Sequence, residues 1–308
     1  MRLPLRRIST TVRTSMTLLG LRIGLGLEAR LRPEHATELA ARLFTTPLSS
    51  SRRRALAAPD TGAIEERLAV DGLELALYRW GDPATTPYIL FSHGWSSHGT
   101  RIAPWVASLR AAGYAVVAFD QAGHGKSGGD RTTLPDFACH LMAVARRYGP
   151  ATAVIGHSLG GAATAIALAN GMQAQRAVLI APAADGLAAM ERFCRLLWLD
   201  APFARRMAAL FERRTRVSVD DLQAHRYVAA IGRPALIVHD LEDREVPWHE
   251  GERYARLWPG ARMISTRGCG HNRIADDPGV IAATLRFLRG EAVGERVVSS
   301  PNLPFGLA

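Results

Sequence analysis

The sequence predicts an α/β protein built on a mostly parallel sheet of about eight strands, with helices on both faces. From residue 64 onward, short and nearly uninterrupted apolar runs alternate with helix-length patterns. Strands that are apolar on both faces belong to parallel sheets covered on both sides by helices. The predicted strands are 64–70, 73–80, 88–92, 114–120, 152–156, 177–181, 235–239 and 262–265. The predicted helices are 102–112, 135–148, 159–169, 249–257 and 278–288.

Two features interrupt this alternation. Asp71-Gly72 separates the first two strands, and this dipeptide suits the tight hairpin turn that needs positive φ, so the sheet should begin with an antiparallel pair. Between residues 181 and 235 no strand-like run occurs, and Met190, Cys194 and Leu197 follow helical spacing. We therefore expect a helical cap at 182–233, inserted between core segments 60–181 and 234–290, with a tail at 291–308.

The net charge of +10 is concentrated near the N-terminus. Residues 1–59 hold eleven arginines and three glutamates, which gives +8 and leaves +2 for the remainder. We predict a basic N-terminal arm over 1–59, with one short helix at 33–44 and a linker at 49–54. Two interpretations of the arm stay open: a solvated tail, or a contact with an acidic membrane or partner surface. No nucleic acid partner is expected, and the oligomeric state is left open.

The three cysteines, Cys139, Cys194 and Cys269, are far apart and show no CxxC spacing. This pattern argues against a disulfide framework and against a structural zinc site. Reduced thiols fit a cytoplasmic protein, either free in the cytoplasm or peripheral to the membrane. No cluster of histidine and carboxylate residues suggests a metal, and no cofactor is expected.

The motif G-x-S-x-G occurs at 156–160, where Ser158 stands between a predicted strand and a helix of small residues. The bare pattern is weak, but this context is typical of a nucleophile elbow. A sharp turn there lifts the serine oxygen clear of the sheet, and the glycines leave room for neighbouring backbone. Ser158 is therefore the candidate nucleophile.

A serine hydroxyl needs a base, and the base needs an acid that orients it. His271 lies in a glycine-flanked loop after the last predicted strand, which makes it the candidate base. Asp243, in the loop after strand 235–239, is the candidate acid because it stands just before Val246-Pro247. Other carboxylates compete for that role: Asp240, Glu242, Glu245 and, after another strand, Asp185.

Acyl transfer builds negative charge on the carbonyl oxygen, which two aimed backbone N–H groups can stabilise. Leu159, directly after the nucleophile, should supply one group. Trp95, in the loop after strand 88–92, should supply the other, while its ring lines the pocket. The further predicted pocket residues are His157, Phe193 and Trp198.

A second glycine pattern, G-x-G-x-x-G at 123–128, formally matches a dinucleotide-binding loop. Its context does not fit, because the next predicted helix begins only near residue 135 and no acidic residue ends a second strand about twenty positions on. Gly125-Lys126-Ser127 also lacks the first glycine of a phosphate loop, since Asp120 stands there. Nucleotide binding is therefore not expected.

Taken together, these residues resemble the α/β-hydrolase fold superfamily over about residues 64–290. The resemblance is carried by His93-Gly94-Trp95, the loop 120–127, the segment 156–161, Asp243, and Gly270-His271. Within that superfamily the sequence is similar to serine esterases, lysophospholipases and related acyl hydrolases with a short helical cap. Ser158 differs from the aspartate that haloalkane dehalogenases and epoxide hydrolases use at this place.

The resemblance implies a carboxylesterase- or lipase-like serine hydrolase that cleaves a small-molecule ester or related acyl bond through an acyl-enzyme. Alternatives on the same scaffold are an acyltransferase, a carbon–carbon bond hydrolase, and a membrane-surface lipid hydrolase docked by the basic arm. The bond that is cleaved and the length of the acyl group are left open by the sequence.

Overall fold

The structure is a computed structural model that describes the backbone of residues 10–297 and the side chains of residues 18–297. The chain forms two compact units. The described part of one unit, the sheet unit, comprises residues 45–185 and 220–297. The other, the helical unit, comprises residues 10–44 and Gly186–Val219. Among the described helices, none has the length and apolar character needed to cross a membrane.

The sheet unit contains one eight-stranded sheet with the strand order β1-β2-β4-β3-β5-β6-β7-β8. Its strands are β1 Ile64–Val70, β2 Leu73–Trp80, β3 Tyr88–Ser92, β4 Ala115–Phe119, β5 Ala151–His157, β6 Ala174–Ile180, β7 Ala235–Asp240 and β8 Arg262–Thr266. The pairs β1–β2 and β2–β4 are antiparallel, and the pairs from β4 through β3 to β8 are parallel. The predicted mixed sheet is confirmed.

The first hairpin follows directly from its turn residues. Val70 pairs with Leu73 across the turn, and both Asp71 (φ 47°) and Gly72 (φ 79°) have positive φ. Two successive residues with positive φ define the turn whose twist matches that of the flanking strands. The Asp-Gly dipeptide therefore fixes the register of β1 and β2.

Helices cover both faces of the sheet. Successive residues of a strand point to opposite faces, so neighbouring strand residues pack against different helices. Leu90 packs in one core with residues of α5 (Leu134–Tyr148), α6 (Leu159–Ala169) and α10 (Trp248–Leu257). Ile89, its neighbour, packs in a second core with α4 (Ala103–Ala111) and α12 (Pro278–Leu288). Both predicted layers of helices are thus present.

The remaining helices are α1 Thr10–Leu31, α2 Pro33–Thr45, α3 Ser49–Leu56, α7 Gly186–Leu196, α8 Ala201–Thr215, α9 Ala224–Tyr227 and α11 Gly270–Arg273. In the helical unit, α1 and α2 share one apolar cluster with α7 and α8. Leu25, Ala40, Cys194 and Met207 are each buried in it. Two segments about 150 residues apart in sequence therefore make one core.

The predicted arm at 1–59 and linker at 49–54 are corrected by this structure. The described part of the arm holds three helices, and residues 1–9 lie outside the described residues. Arg22 lies within α1, where its Nε donates to Leu196 O at 2.8 Å and its guanidinium lies over the Trp198 ring. The linker is helix α3, where Arg52 donates to the carbonyls of Gly125, Ser127 and Gly129.

The predicted cap boundaries and tail also change. Residues 220–233 group with the sheet unit, since Ala224 N–H donates to Ala184 O at 2.9 Å and Val228 is buried in the sheet core. In the segment predicted as a tail, Glu295 forms an antiparallel bridge with Met263, with both backbone hydrogen bonds at 2.7 Å. Residues 298–308 of the predicted tail lie outside the described residues.

Candidate active site

Ser158 stands at a strained turn between β5 and α6. Its φ of 54° lies in the left-handed region that non-glycine residues rarely adopt, and its N–H donates to Ile180 O at 2.8 Å. A Cβ on Gly156 would approach Gly160 O to 2.5 Å, and one on Gly160 would approach Ser92 O to 2.2 Å. The two glycines are therefore required by close backbone contacts, as the sequence predicted.

His271 lies in the short helix α11 that follows β8, and it is buried. Its Nδ1 lies 2.7 Å from Asp243 Oδ2 and its Nε2 lies 2.9 Å from Ser158 Oγ. A carboxylate only accepts hydrogen bonds, so Nδ1 carries the proton and donates it to Asp243. The Nε2 lone pair then faces Ser158, whose hydroxyl donates to it. The three residues form one directed chain of hydrogen bonds.

Asp243 is buried and held by several donors. Its Oδ1 accepts the N–H groups of Glu245 at 2.8 Å and Val246 at 3.0 Å, which fixes the carboxylate plane. Burial acts to raise the pKa of Asp243, but hydrogen bonds from His239, His271 and Val246 outweigh it and lower that pKa well below its usual value. Asp243 is thus a carboxylate at neutral pH, as an orienting acid must be.

The competing carboxylates are occupied elsewhere. Asp240 accepts hydrogen bonds from Thr266 Oγ1 at 2.7 Å and Cys269 N at 3.0 Å, so it joins the loops after β7 and β8. Glu242 and Glu245 are exposed, and Asp185 faces Arg253 at 3.3 Å. Asp243, which the sequence analysis chose over these residues, is the one that lies beside His271.

Sequence reasoning missed His239, the penultimate residue of β7. It is fully buried, and its Nε2 lies 2.9 Å from Val246 O and 3.4 Å from Asp243 Oδ2. Because a carbonyl only accepts, Nε2 carries the proton, which both oxygens share. The signal in the sequence was a histidine within an apolar strand, four residues before the candidate acid.

The loop after β3 lies against the candidate nucleophile. A Cβ on Gly94 would approach Ser158 Cβ to 2.9 Å, so only glycine fits there. His93 accepts Gln121 N–H on Nε2 at 3.0 Å, which leaves Nδ1–H to donate to Gly94 O at 2.7 Å. Burial lowers the pKa of His93 to about 3, which keeps the ring in this neutral form. His93 thereby holds the backbone that leads into Trp95.

The two predicted oxyanion donors are Trp95 and Leu159. Within the described part of the chain, neither backbone N–H donates a hydrogen bond to another protein group. Leu159 is the first residue of α6, where N–H groups lack partners in their own helix. The positive end of the helix dipole also lies there. An anion near Ser158 would find these donors unoccupied.

The predicted pocket residues lie in different surroundings. His157 is buried, with Nε2 2.9 Å from His271 O, so it holds the backbone of the candidate base. The Trp95 ring is half-buried and contacts His124 and Phe137. In the helical unit, Phe193 packs edge-on against Phe44, and Trp198 is 62% exposed. A role of these side chains in substrate binding stays a prediction.

The glycine-rich loop at 123–128 has a structural role. Asp120 accepts hydrogen bonds from Gly99 N at 2.7 Å, Tyr78 OH at 2.7 Å and Lys126 N at 2.8 Å. Gly125 has φ of 43°, and a Cβ there would approach the Asp120 carboxylate to 2.0 Å. The loop therefore folds around Asp120, and the next α-helix, α5, begins only at Leu134.

A depression of about 650 Å³ borders Asp243 and His271 on the side of the exposed residues Glu242, Arg244 and Arg273, and Ser158 is not among its lining residues.

Among the described residues, no group of three or more histidine, cysteine or acidic side chains is arranged to hold a metal ion. All three cysteines are free thiols. The cytoplasmic location stays a prediction.

The strand order, the elbow at Ser158 and the loops after β7 and β8 define an α/β hydrolase. The Hydrolase_4 family, described as serine aminopeptidase, S33, matches residues 84–249. The chain belongs to this family of α/β hydrolases. The matched range includes Trp95, Ser158 and Asp243, and it ends before His271.

A curated relative is the non-heme chloroperoxidase of Burkholderia pyrrocinia, which is 34% identical over 103 residues. That match spans 32% of this chain and 37% of the relative, well under two thirds of its length.

Solved structures share the fold at low identity. Alpha/beta hydrolase domain-containing protein 10 from mouse has a TM-score of 0.57 at 20% identity, covering 74% of this chain and 98% of its own. A bacterial membrane phospholipase A has a TM-score of 0.59 at 20% identity, covering 90% and 98%. A putative lipase from Acinetobacter baumannii has a TM-score of 0.58 at 18% identity, covering 78% and 94%.

Proposed function

We propose that this protein is a serine hydrolase that cleaves a carboxylic ester or a related acyl bond through an acyl-enzyme intermediate. One observation carries the proposal: His271 lies 2.9 Å from Ser158 Oγ and 2.7 Å from Asp243 Oδ2. A buried serine, a histidine and an ionised aspartate in this order are the parts of a nucleophile with its base and orienting acid.

In the first half of the reaction, His271 Nε2 takes the proton from Ser158 Oγ as the oxygen attacks the acyl carbonyl. Asp243 remains ionised and stabilises the imidazolium that forms. The carbonyl oxygen becomes an oxyanion, which the N–H groups of Trp95 and Leu159 would stabilise. His271 then gives its proton to the leaving group, and the acyl group stays on Ser158.

In the second half, His271 removes a proton from water, and the hydroxide formed attacks the acyl-enzyme. The resulting oxyanion uses the same donors, and Ser158 leaves with the proton from His271. The side chains therefore return to their starting protonation states. The buried rings of His93 and His157, which support Gly94 and His271, keep these groups in place between the two halves.

Several of the similar proteins bear names that denote reactions of acyl groups, namely aminopeptidase, lipase, phospholipase and thioesterase, whereas the curated relative is named a chloroperoxidase. We accordingly limit the proposal to acyl transfer to water. A substrate set should contain p-nitrophenyl esters of increasing acyl length, a thioester, and an aminoacyl p-nitroanilide. This profile shows which acyl bond the site prefers.

The decisive test compares Ser158→Ala with Ser108→Ala, a matched control on α4. We expect Ser158→Ala to lower kcat/KM on p-nitrophenyl butyrate by about 10⁴-fold or more, with its folded state intact by circular dichroism. Ser108→Ala should keep wild-type activity. A fluorophosphonate probe should label the wild type at Ser158 and leave Ser158→Ala unlabelled.

Two outcomes contradict the proposal: full ester hydrolysis by Ser158→Ala, or a probe that labels a different residue in the wild type. Product analysis with an added alcohol separates hydrolysis from acyl transfer to another acceptor. Ester formation in excess over free acid would replace the hydrolase by an acyltransferase.

A further inference from the structure

Helix α1 is apolar on two opposite faces. One face carries Leu18, Leu21, Leu25 and Ala29, which pack into the core of the helical unit, where Leu25 is only 1% exposed. Because α1 already contributes a full apolar stripe to this core, its own packing does not account for a second stripe.

The second stripe lies on the surface. Leu19, Ile23, Leu27 and Leu31 are between 45% and 71% exposed. A spacing of four residues places them in one row along the helix, about 18 Å long at the usual rise per residue. Gly20 and Gly24 share this face, and no other group lies within 4 Å of the place a Cβ would occupy. The face is therefore flat and open.

Two more exposed apolar side chains lie on a segment that is bonded to α1. Leu196 is 51% exposed and Trp198 is 62% exposed, at the turn between α7 and α8. Arg22 ties this turn to α1, since its Nε donates to Leu196 O at 2.8 Å and its guanidinium lies 4.7 Å from the centre of the Trp198 ring. Six exposed residues of the helical unit make up what we call the docking patch: Leu19, Ile23, Leu27 and Leu31 on α1, with Leu196 and Trp198 on the segment that Arg22 joins to α1.

The docking patch is unusual for this chain. Ten large apolar residues are exposed in the described structure, and six of them belong to it. Scattered exposed apolar residues need no explanation, but their concentration on one helical unit is typical of an interaction surface.

The net charge of the helical unit indicates which kind of partner the docking patch binds. The helical unit, residues 10–44 and 186–219, contains twelve arginines and six acidic residues, a net charge of +6, whereas the sheet unit carries +1. Exposed arginines border the patch at Arg30, Arg32 and Arg195. A second copy of so basic a surface would be repelled, whereas an acidic surface would be attracted.

We propose that the docking patch binds the surface of an anionic phospholipid bilayer. The apolar row would enter the boundary between headgroups and acyl chains, Trp198 would lie at headgroup level, and the arginines would pair with lipid phosphates. Because the opposite face of α1 is held in a protein core, the helix would lie along the membrane rather than across it. The inference does not rest on the proposed hydrolase activity, since no residue of the candidate triad takes part.

The test is sedimentation of the full chain with sucrose-loaded vesicles of phosphatidylcholine and phosphatidylglycerol, compared with phosphatidylcholine alone. Wild type should bind the anionic vesicles, and Ile23→Ser/Leu27→Ser should lower the partition coefficient by about tenfold or more. The matched control is Leu48→Ser/Leu56→Ser, which removes two apolar side chains of the sheet unit that are 62% and 55% exposed. It should bind like the wild type.

Three further measurements sharpen the result. Arg30→Glu/Arg32→Glu should abolish the preference for anionic vesicles, and high salt should weaken binding of the wild type. Trp198→Phe should remove the part of the tryptophan quenching caused by brominated lipids. The effects of the arginine variant and of salt follow from the attraction of the arginines to anionic lipid, and the quenching follows from the proposed depth of insertion.

The proposal is overturned if the wild type does not bind anionic vesicles, or if both double-serine variants bind equally well. It is also overturned if light scattering shows a dimer that Ile23→Ser/Leu27→Ser converts to a monomer, because the patch would then be an interface between copies. Circular dichroism and hydrolysis of a soluble ester establish that the variants are folded.

Discussion

The sheet unit and the helical unit of this protein are held together by different interactions and carry different net charges. The sheet unit holds a hydrogen-bonded chain from Ser158 to Asp243 by close backbone contacts and buried polar groups, and its sequence carries a net charge of only +1. The helical unit is held by apolar side chains and carries a net charge of +6. Side chains held at hydrogen-bonding distances suit a reaction on a small chemical group. An excess of positive charge beside exposed apolar side chains suits binding to a large surface.

The substitution with the largest expected effect is Asp243→Asn in the sheet unit. An asparagine there can present its amide N–H groups to His271 Nδ1, which favours the wrong tautomer of the base, so kcat should fall by about 10⁴-fold. The matched control is Glu242→Gln, one residue earlier and exposed, which should change kcat less than twofold. Steady-state kinetics on a p-nitrophenyl ester measure both. Equal kcat for both variants would remove Asp243 from the mechanism.

The next effect compares the same substitution in the two units. Gly156→Ala places a methyl group 2.5 Å from Gly160 O and should cost about 1–3 kcal/mol of unfolding free energy. Gly24→Ala, within α1 and in open space, should instead stabilise its helix by about 0.5–1 kcal/mol, because alanine favours helix more than glycine does. Urea unfolding and hydrogen exchange measure the two changes. If both substitutions changed stability in the same direction, the proposed difference between the two units would be wrong.

A smaller effect concerns pH. Burial lowers the pKa of His93, His124 and His157 in the sheet unit to about 3, against about 6.5 in an unfolded chain. Between these values the unfolded chain binds more protons than the folded one. The stability due to neutral burial is therefore complete above about pH 6.5 and decreases as pH falls, by up to about 1.4 kcal/mol per pH unit for each histidine.

Urea unfolding between pH 5 and pH 8 tests this sign. His124→Gln should flatten the dependence of stability on pH below 6.5, whatever its effect on stability at pH 8. His35→Gln in the helical unit is the control, because the His35 side chain is 62% exposed. If His124→Gln leaves the slope unchanged, His124 is not a neutral buried group.

Much of the sheet unit could be predicted because its signals are local. Asp71-Gly72 fixes a hairpin by its own backbone preference, and buried strands show as apolar runs whose bounds the structure changes by only a few residues. Ser158 could be found because a strand, a serine between two glycines and a helix are consecutive in the chain. The order of Ser158, Asp243 and His271 then required only that the loops follow successive strands.

What only the tertiary structure decided involves residues far apart in sequence. The sequence favoured Asp243 over Asp240 only by its position before Val246-Pro247, whereas the fold brings Asp243 to His271 and Asp240 to Thr266. Nor could it place His239 beside Asp243, or pair α1 with α7 and α8 into one core. Local backbone preference and apolar periodicity act within about ten residues, whereas packing and hydrogen bonding between distant segments depend on how the whole chain folds.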